Sequence, residues 1–207
     1  MNFPTNKDLE ASNFLKSYTN LITDGLNSVN SAQFDAIGNL LNKTITEGNK
    51  IFSCGNGGSA AISEHFVCDF LKGTATDSTI QPIIHSLSSN IPTVTAVAND
   101  ISYDDVFSFQ LSRLAKKGDT LICVSSSGNS GNILRVIEEA KKISVNSVAF
   151  VGFSGGKAKT LSDYSIHINI DNYGVVEDVH QALMHMLSQY IRIKNLKPGT
   201  DIEKIII

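Results

Sequence analysis

The chain has 207 residues, 42% of them hydrophobic and 18% charged, with a formal net charge of −3. That length can bury a sizeable core, and that composition excludes a disordered chain or a long coiled coil. Only Arg113, Arg135 and Arg192 are arginines, so no basic stripe for a nucleic-acid backbone can be drawn. An anionic ligand has to be held by something other than bulk positive charge, and nucleic acid is not expected as a partner.

In chain order, apolar residues from Leu9 to about Leu26 recur at helical spacing (Phe14, Leu15, Tyr18, Leu21, Ile22). Ser31 is the expected N-cap of a second helix carrying Phe34, Ile37, Leu40, Leu41 and Ile45 and ending near Gly48. This pair, within residues 8–48, must cover a sheet or meet another subunit. Apolar runs then follow at 50–54, 81–87, 120–125, 147–153 and 164–170. They alternate with helical windows near 59–72, 91–99, 103–115, 130–143 and 175–194. Strand alternating with helix implies parallel strands joined by right-handed crossovers, with helices on both faces. The expected fold is α/β: one doubly wound parallel sheet spanning 1–207 as a single domain, with two N-terminal helices, a long C-terminal helix and a 195–207 tail. Cys54, Cys68 and Cys123 are odd in number and lack C-x-x-C spacing, which disfavours a disulfide framework or a zinc ribbon. They read as small buried apolar residues, Cys54 at most as a pocket wall. No apolar leader and no run near the ~20 residues of a membrane span is seen, so a cytoplasmic protein without a membrane partner is expected.

Two loops stand out, each leaving a strand and entering a helix. One is Cys54-Gly55-Asn56-Gly57-Gly58-Ser59; the other is Ser125-Ser126-Ser127-Gly128-Asn129-Ser130. In an open parallel sheet such loops lie where ligands bind. Glycines admit a ligand to the backbone, helix-terminal amides point at an anion, and serine hydroxyls add donors suited to a phosphate monoester. Each loop alone also fits an ordinary Gly/Ser/Asn turn; the pair favours a phosphorylated ligand. Gly55-Asn56-Gly57-Gly58-Ser59-Ala60 fits a loose dinucleotide pattern, but the next strand ends without the acid that would hold a ribose. Gly152-Phe153-Ser154-Gly155-Gly156-Lys157-Ala158 has a P-loop look, with one residue too few and no metal-binding hydroxyl. Both nucleotide motifs are incomplete.

Two groups of reactive side chains remain. His65 and Asp69 stand four apart on one helix, and Glu177, Asp178, His180 and His185 share the last long one. Two histidines with two carboxylates suit a zinc site or an acid/base pair. Singly, each also fits a surface or core role, and His85 and His167 look structural.

The run Ser53-Cys54-Gly55-Asn56-Gly57-Gly58-Ser59-Ala60-Ala61, then Glu64-His65-Phe66, then the serine loop, resembles a sugar isomerase (SIS) domain, and more closely the phosphoheptose isomerases. The resemblance implies aldose–ketose isomerisation of sedoheptulose 7-phosphate to D-glycero-D-manno-heptose 7-phosphate through a cis-enediol. It places substrate on Asn56, Gly57, Gly58, Ser59, Asn99, Asp100, Ser125, Ser126, Ser127 and Ser130. It makes His65, Asp69, Glu177 and His185 the positions of Zn²⁺ binding, with Asp69, Glu177 and His185 also candidates for proton transfer. It further implies a homotetramer with active sites at subunit interfaces. The chain departs from the family in having Asp69 for the usual Glu, Glu177 for the usual Gln, and no Arg after the first loop's helix. An alternative within the resemblance is a non-catalytic SIS protein, either a sugar-phosphate sensor or a tetrameric adaptor.

Overall fold

The computed structural model describes residues 10–205, so Leu9 and the last two isoleucines of the tail lie outside the described residues. Five strands form one parallel sheet in the order β2-β1-β3-β4-β5: β1 Lys50–Gly55, β2 Ile83–Ser86, β3 Thr120–Ser125, β4 Asn146–Val151 and β5 Tyr164–His167. β3 is buried at every position and β4 at all but its first, as unbroken apolar runs flanked by helices on both sides should be.

Alternate strand residues feed two separate cores, the period-2 consequence of the pleat. Ile51, Ile122, Val148 and Phe150 face one core, where they meet α2 (Ser31–Thr46), α3 (Gly58–Cys68) and α8 (Tyr173–Lys194). Phe52, Leu121, Cys123 and Ala149 face the other, closed by α4 (Ile91–Asp100), α5 (Ser108–Leu114), α6 (Gly131–Lys142) and α7 (Ala158–Leu161). α1 (Ala11–Asn27) lies along α8. The doubly wound expectation is met, and the two leading helices cover the sheet from the α8 side.

Local departures are small and physical. Asn30, not Ser31, caps α2, accepting the Gln33 amide at 3.0 Å. The window near 59–72 is α-helical only to Cys68 and then widens into a π-helical stretch, Asp69–Thr74. The window 103–115 opens as a 3₁₀ turn, Tyr103–Asp105, before α5. Cys68 is exposed, contrary to the buried role expected of it, because it falls on the outward face of α3. Cys54 and Cys123 are cross-strand neighbours within the core; the Cys54 thiol donates to the Cys123 sulfur at 3.6 Å, and both are free cysteines.

Candidate active site

From β1 the chain crosses to β2 on one side, and β3 then adds on the other. The loops leaving β1 and β3 therefore diverge at the topological switch point of the sheet, the crevice where open α/β sheets bind ligands. These are the two loops singled out by sequence. Asn56 and Asn132 span them with reciprocal side-chain hydrogen bonds, 2.9 Å in each direction, and the Tyr103 hydroxyl donates to Asn56 Oδ1 at 3.0 Å. Asn56 is thus largely committed to holding the loops together.

The helices entered from these loops begin without a cap. The N-cap of α3 is Gly57, whose φ of +56° is a left-handed conformation natural to glycine, and that of α6 is Ser130; neither contributes a side-chain hydrogen bond. The opening amides of both helices carry the positive end of the dipole toward the crevice. In the serine loop, Ser125 Oγ accepts the Gly128 amide at 3.2 Å and Ser127 Oγ the Asn129 amide at 3.3 Å. Both hydroxyls keep their own protons to donate. Ser126 Oγ is buried with no hydrogen-bond partner, the kind of orphan that a bound oxyanion would satisfy.

The glycine-rich 152–156 segment supports this loop from behind. The Gly152 amide donates to the Ser126 carbonyl and the Ala158 amide to the Gly128 carbonyl, each at 2.9 Å, while the Lys157 amide reaches Asn129 Oδ1 at 3.0 Å. Gly128 and Gly156 approach so closely that a side-chain carbon on either would run into the other segment's backbone. The P-loop look-alike is a backbone buttress.

α3 and α8 run side by side in the same direction and bring together the reactive groups of two distant windows. His65, Asp69 and His185 each offer a ligand atom, all within 4.8 Å of one another. His65 Nε2 lies 3.4 Å from Asp69 Oδ1, and His185 Nε2 lies 3.5 Å from Asp69 Oδ2. Asp69 Oδ2 is buried and makes no hydrogen bond, an uncompensated position for a carboxylate oxygen that a cation would relieve. Two imidazoles and a carboxylate are a borderline donor set that fits Zn²⁺. The π-helical stretch begins at Asp69 itself, the kind of local widening that recurs at functional sites. Sequence reasoning missed Gln181, whose side-chain nitrogen is 2.9 Å from His185 Nε2. Its position one turn before His185 on the same face was the available signal.

Glu177 stands two turns before His185 and is not in this three-residue group. Its carboxylate lies against Gly58, leaving no room for a side chain there, at the opening turn of α3. Burial raises its pKa, with a smaller push from neighbouring Asp178. Asp178 accepts a hydrogen bond from Tyr18 of α1 at 2.7 Å, and burial with that bond pushes the Tyr18 phenol up to about 12. His180 faces the opposite way, fully buried, edge-on to Phe150. Asn99 and Asp100 bond to each other at 2.7 Å at the exposed end of α4, and Ser59 is buried in the first turn of α3. His85 lies beside Phe52, and His167 links Lys159 to the Phe153 carbonyl.

The SIS-domain signature matches residues 13–152. A phosphoheptose isomerase of Colwellia psychrerythraea is 38% identical over 157 residues, 74% of this chain and 80% of that protein. One of Coxiella burnetii is 36% identical over 167 residues, 79% of this chain and 83% of its own. Among solved structures, a phosphoheptose isomerase from Francisella tularensis superposes with a TM-score of 0.82 at 25% identity, covering 88% of this chain and 96% of that one.

Proposed function

The chain belongs to the SIS-domain family, and from that membership we propose that it isomerises a sugar phosphate between ketose and aldose. The proposed pair is sedoheptulose 7-phosphate and D-glycero-D-manno-heptose 7-phosphate, in keeping with relatives that bear the name phosphoheptose isomerase. The observation that carries the reading is the meeting of His65, Asp69 and His185 on α3 and α8, with α3 opening uncapped at the crevice.

The phosphate is seated on Ser125, Ser126, Ser127, Ser130 and the opening amides of α6, with Ser59 and the Gly57–Gly58 backbone facing it across the crevice. Held there, the sugar extends C1 and C2 toward α3 and α8. A carboxylate removes a proton from C1 of the ketose, and the electron pair passes into the C1–C2 bond. The C2 oxygen gains a proton, giving the cis-enediol. Return of a proton to C2, with loss of the O1 proton, yields the aldehyde. Glu177 is the better placed of the two carboxylates for carbon, because burial raises its basicity and Asp69 is turned to the two imidazoles. His185, beside Asp69, handles the oxygen-bound proton. Zn²⁺ held by His65, Asp69 and His185 would supply Lewis acidity to the carbonyl oxygen.

Assembly into a homotetramer with sites completed at interfaces is supported by the apolar faces left at the surface. Met186, Tyr190 and Ile193 follow one stripe of α8, and Leu15 of α1 is 65% exposed. Both cores lie on one continuous sheet, which supports a single domain. No helix among the described residues is long and apolar enough to cross a membrane, which accords with the cytoplasmic setting proposed for the enzyme.

The test is proton exchange in D₂O with ketose phosphates, followed by NMR. Deuterium at C1 of the ketose and C2 of the aldose is expected. No exchange and no product from any heptulose or hexulose phosphate, with metal-replete protein, would overturn the isomerase reading in favour of a sensor or adaptor.

A further inference from the structure

The Tyr103–Asp105 turn is the piece of the crevice that the mechanism leaves unused. It is fastened on three sides. Ser102 Oγ accepts the Asp104 amide at 3.1 Å, Arg135 of α6 grips both oxygens of Asp105 at 2.9 Å, and Tyr103 is bonded to Asn56. This seating brings the Asp104 carboxylate against Gly131, the first residue of α6, where its atoms take the space that a side chain would need. A helical Cβ leans toward the helix N-terminus, so the carboxylate flanks the opening turn. It does not cap that turn: no hydrogen bond joins Asp104 to an α6 amide among the described residues. A fixed negative charge is therefore held against the first residue of α6, the helix whose opening amides form part of the proposed phosphate seat.

We propose that Asp104 is a specificity-determining residue that opposes phosphate dianions at the α6 seat, with Gly131 present to make room for it. The proposal rests on the phosphate seat described above. A like charge in contact with the helix end lowers affinity for a dianion more than for a monoanion or a neutral group. It acts on substrate and product alike, so it weakens binding uniformly and eases departure of the phosphorylated product.

The experiment is calorimetric titration of the full chain with inorganic phosphate at about pH 8, where phosphate is mainly dianionic. Ser126→Ala reports on the seat, Asp104→Asn and Asp104→Ser on the proposal, and Glu138→Gln, exposed further along α6, on net charge alone. Both Asp104 variants are expected to bind phosphate about tenfold more tightly, and Glu138→Gln to change affinity by less than about twofold. In kinetics with the sugar phosphate, KM should fall by a similar factor without a rise in kcat. Unchanged or weaker phosphate binding in both Asp104 variants overturns the proposal, as does equal tightening by Glu138→Gln. If Ser126→Ala weakens binding in the wild-type background, those outcomes leave the seat standing. If wild type and Asp104 variants all fail to bind phosphate, the seat falls and this proposal with it.

Discussion

α2, α4 and α8 begin under an asparagine: Asn30, Asn90 and Asn172 each accept the backbone amide three residues on, at 3.0 to 3.1 Å. α3 and α6, with Gly57 and Ser130 at their N-cap positions, have no side-chain cap, and both open at the switch point of the sheet. One set of helix ends is finished internally and belongs to the scaffold. The other points its uncapped first turn and its dipole at the crevice, with a carboxylate from elsewhere brought against each first residue: Glu177 at Gly58 and Asp104 at Gly131. α1, α5 and α7 also start without a side-chain cap, so what marks the two site ends is a missing cap together with a place at the switch point.

Substitutions at the two kinds of helix end should therefore fail differently. Removing the Glu177 carboxylate at the α3 end has the largest expected effect. Glu177→Gln should lower kcat by about a thousandfold, the order attributed to a positioned general base, with little change in melting temperature. Wash-in of deuterium from solvent should fall in parallel while added Zn²⁺ is still taken up; a variant that keeps exchange would assign the carbon proton to another group. Asp69→Asn should show the reverse signature and lose metal.

The second effect lies on the scaffold side of α8. Burial pushes His180 down to about 4, which the Val151 backbone offsets only in part. The unfolded chain, with an ordinary histidine near 6.5, binds this proton first. Stability is thus intact above about pH 6.5 and is lost as pH falls toward 4, by about 3 kcal/mol in all. Urea denaturation across that range should show the slope, and His180→Leu should flatten it. A slope that persists in the variant would trace acid sensitivity to other groups.

Ser126→Ala should raise KM for the sugar phosphate by about tenfold, yet leave stability unchanged or slightly improved, because its buried oxygen has no partner in the fold. The smallest effects are at the capped ends. Asn30→Ala, Asn90→Ala and Asn172→Ala should each lower stability by about 1 kcal/mol with KM unmoved. Denaturation midpoints and initial rates on the same samples would settle it; a cap variant that shifts KM more than its stability would break the division.

Much of this division was legible in the sequence. The two loops carry their own chemistry in glycines and hydroxyls, and buried parallel strands announce themselves as apolar runs. The pairing of His65 and Asp69 follows from helical spacing alone. Partners joined across the fold were not legible. Nothing local to Gly58 or Gly131 indicates that each makes way for a carboxylate from a distant element. Asn56 has the residue type of a sugar contact, and only the structure reveals its exchange with Asn132. His180 shares a helix with Glu177 and His185, but one residue of phase turns it from the site into the core. The π-helical widening after Cys68 lies against α8, a tertiary setting that local sequence does not display.

The buttress behind the serine loop bears on how mutational tolerance in this protein should be interpreted. Gly128 and Gly156 are locked by each other's backbones, and Gly155 by the side chain of Lys159. A saturation scan would find the 152–156 segment as intolerant as the ligand loops, and a glycine pattern followed by lysine would invite a nucleotide-binding interpretation. The intolerance would come from two strands of main chain passing too close for a methyl group. In this fold, a position can be irreplaceable without ever meeting a ligand.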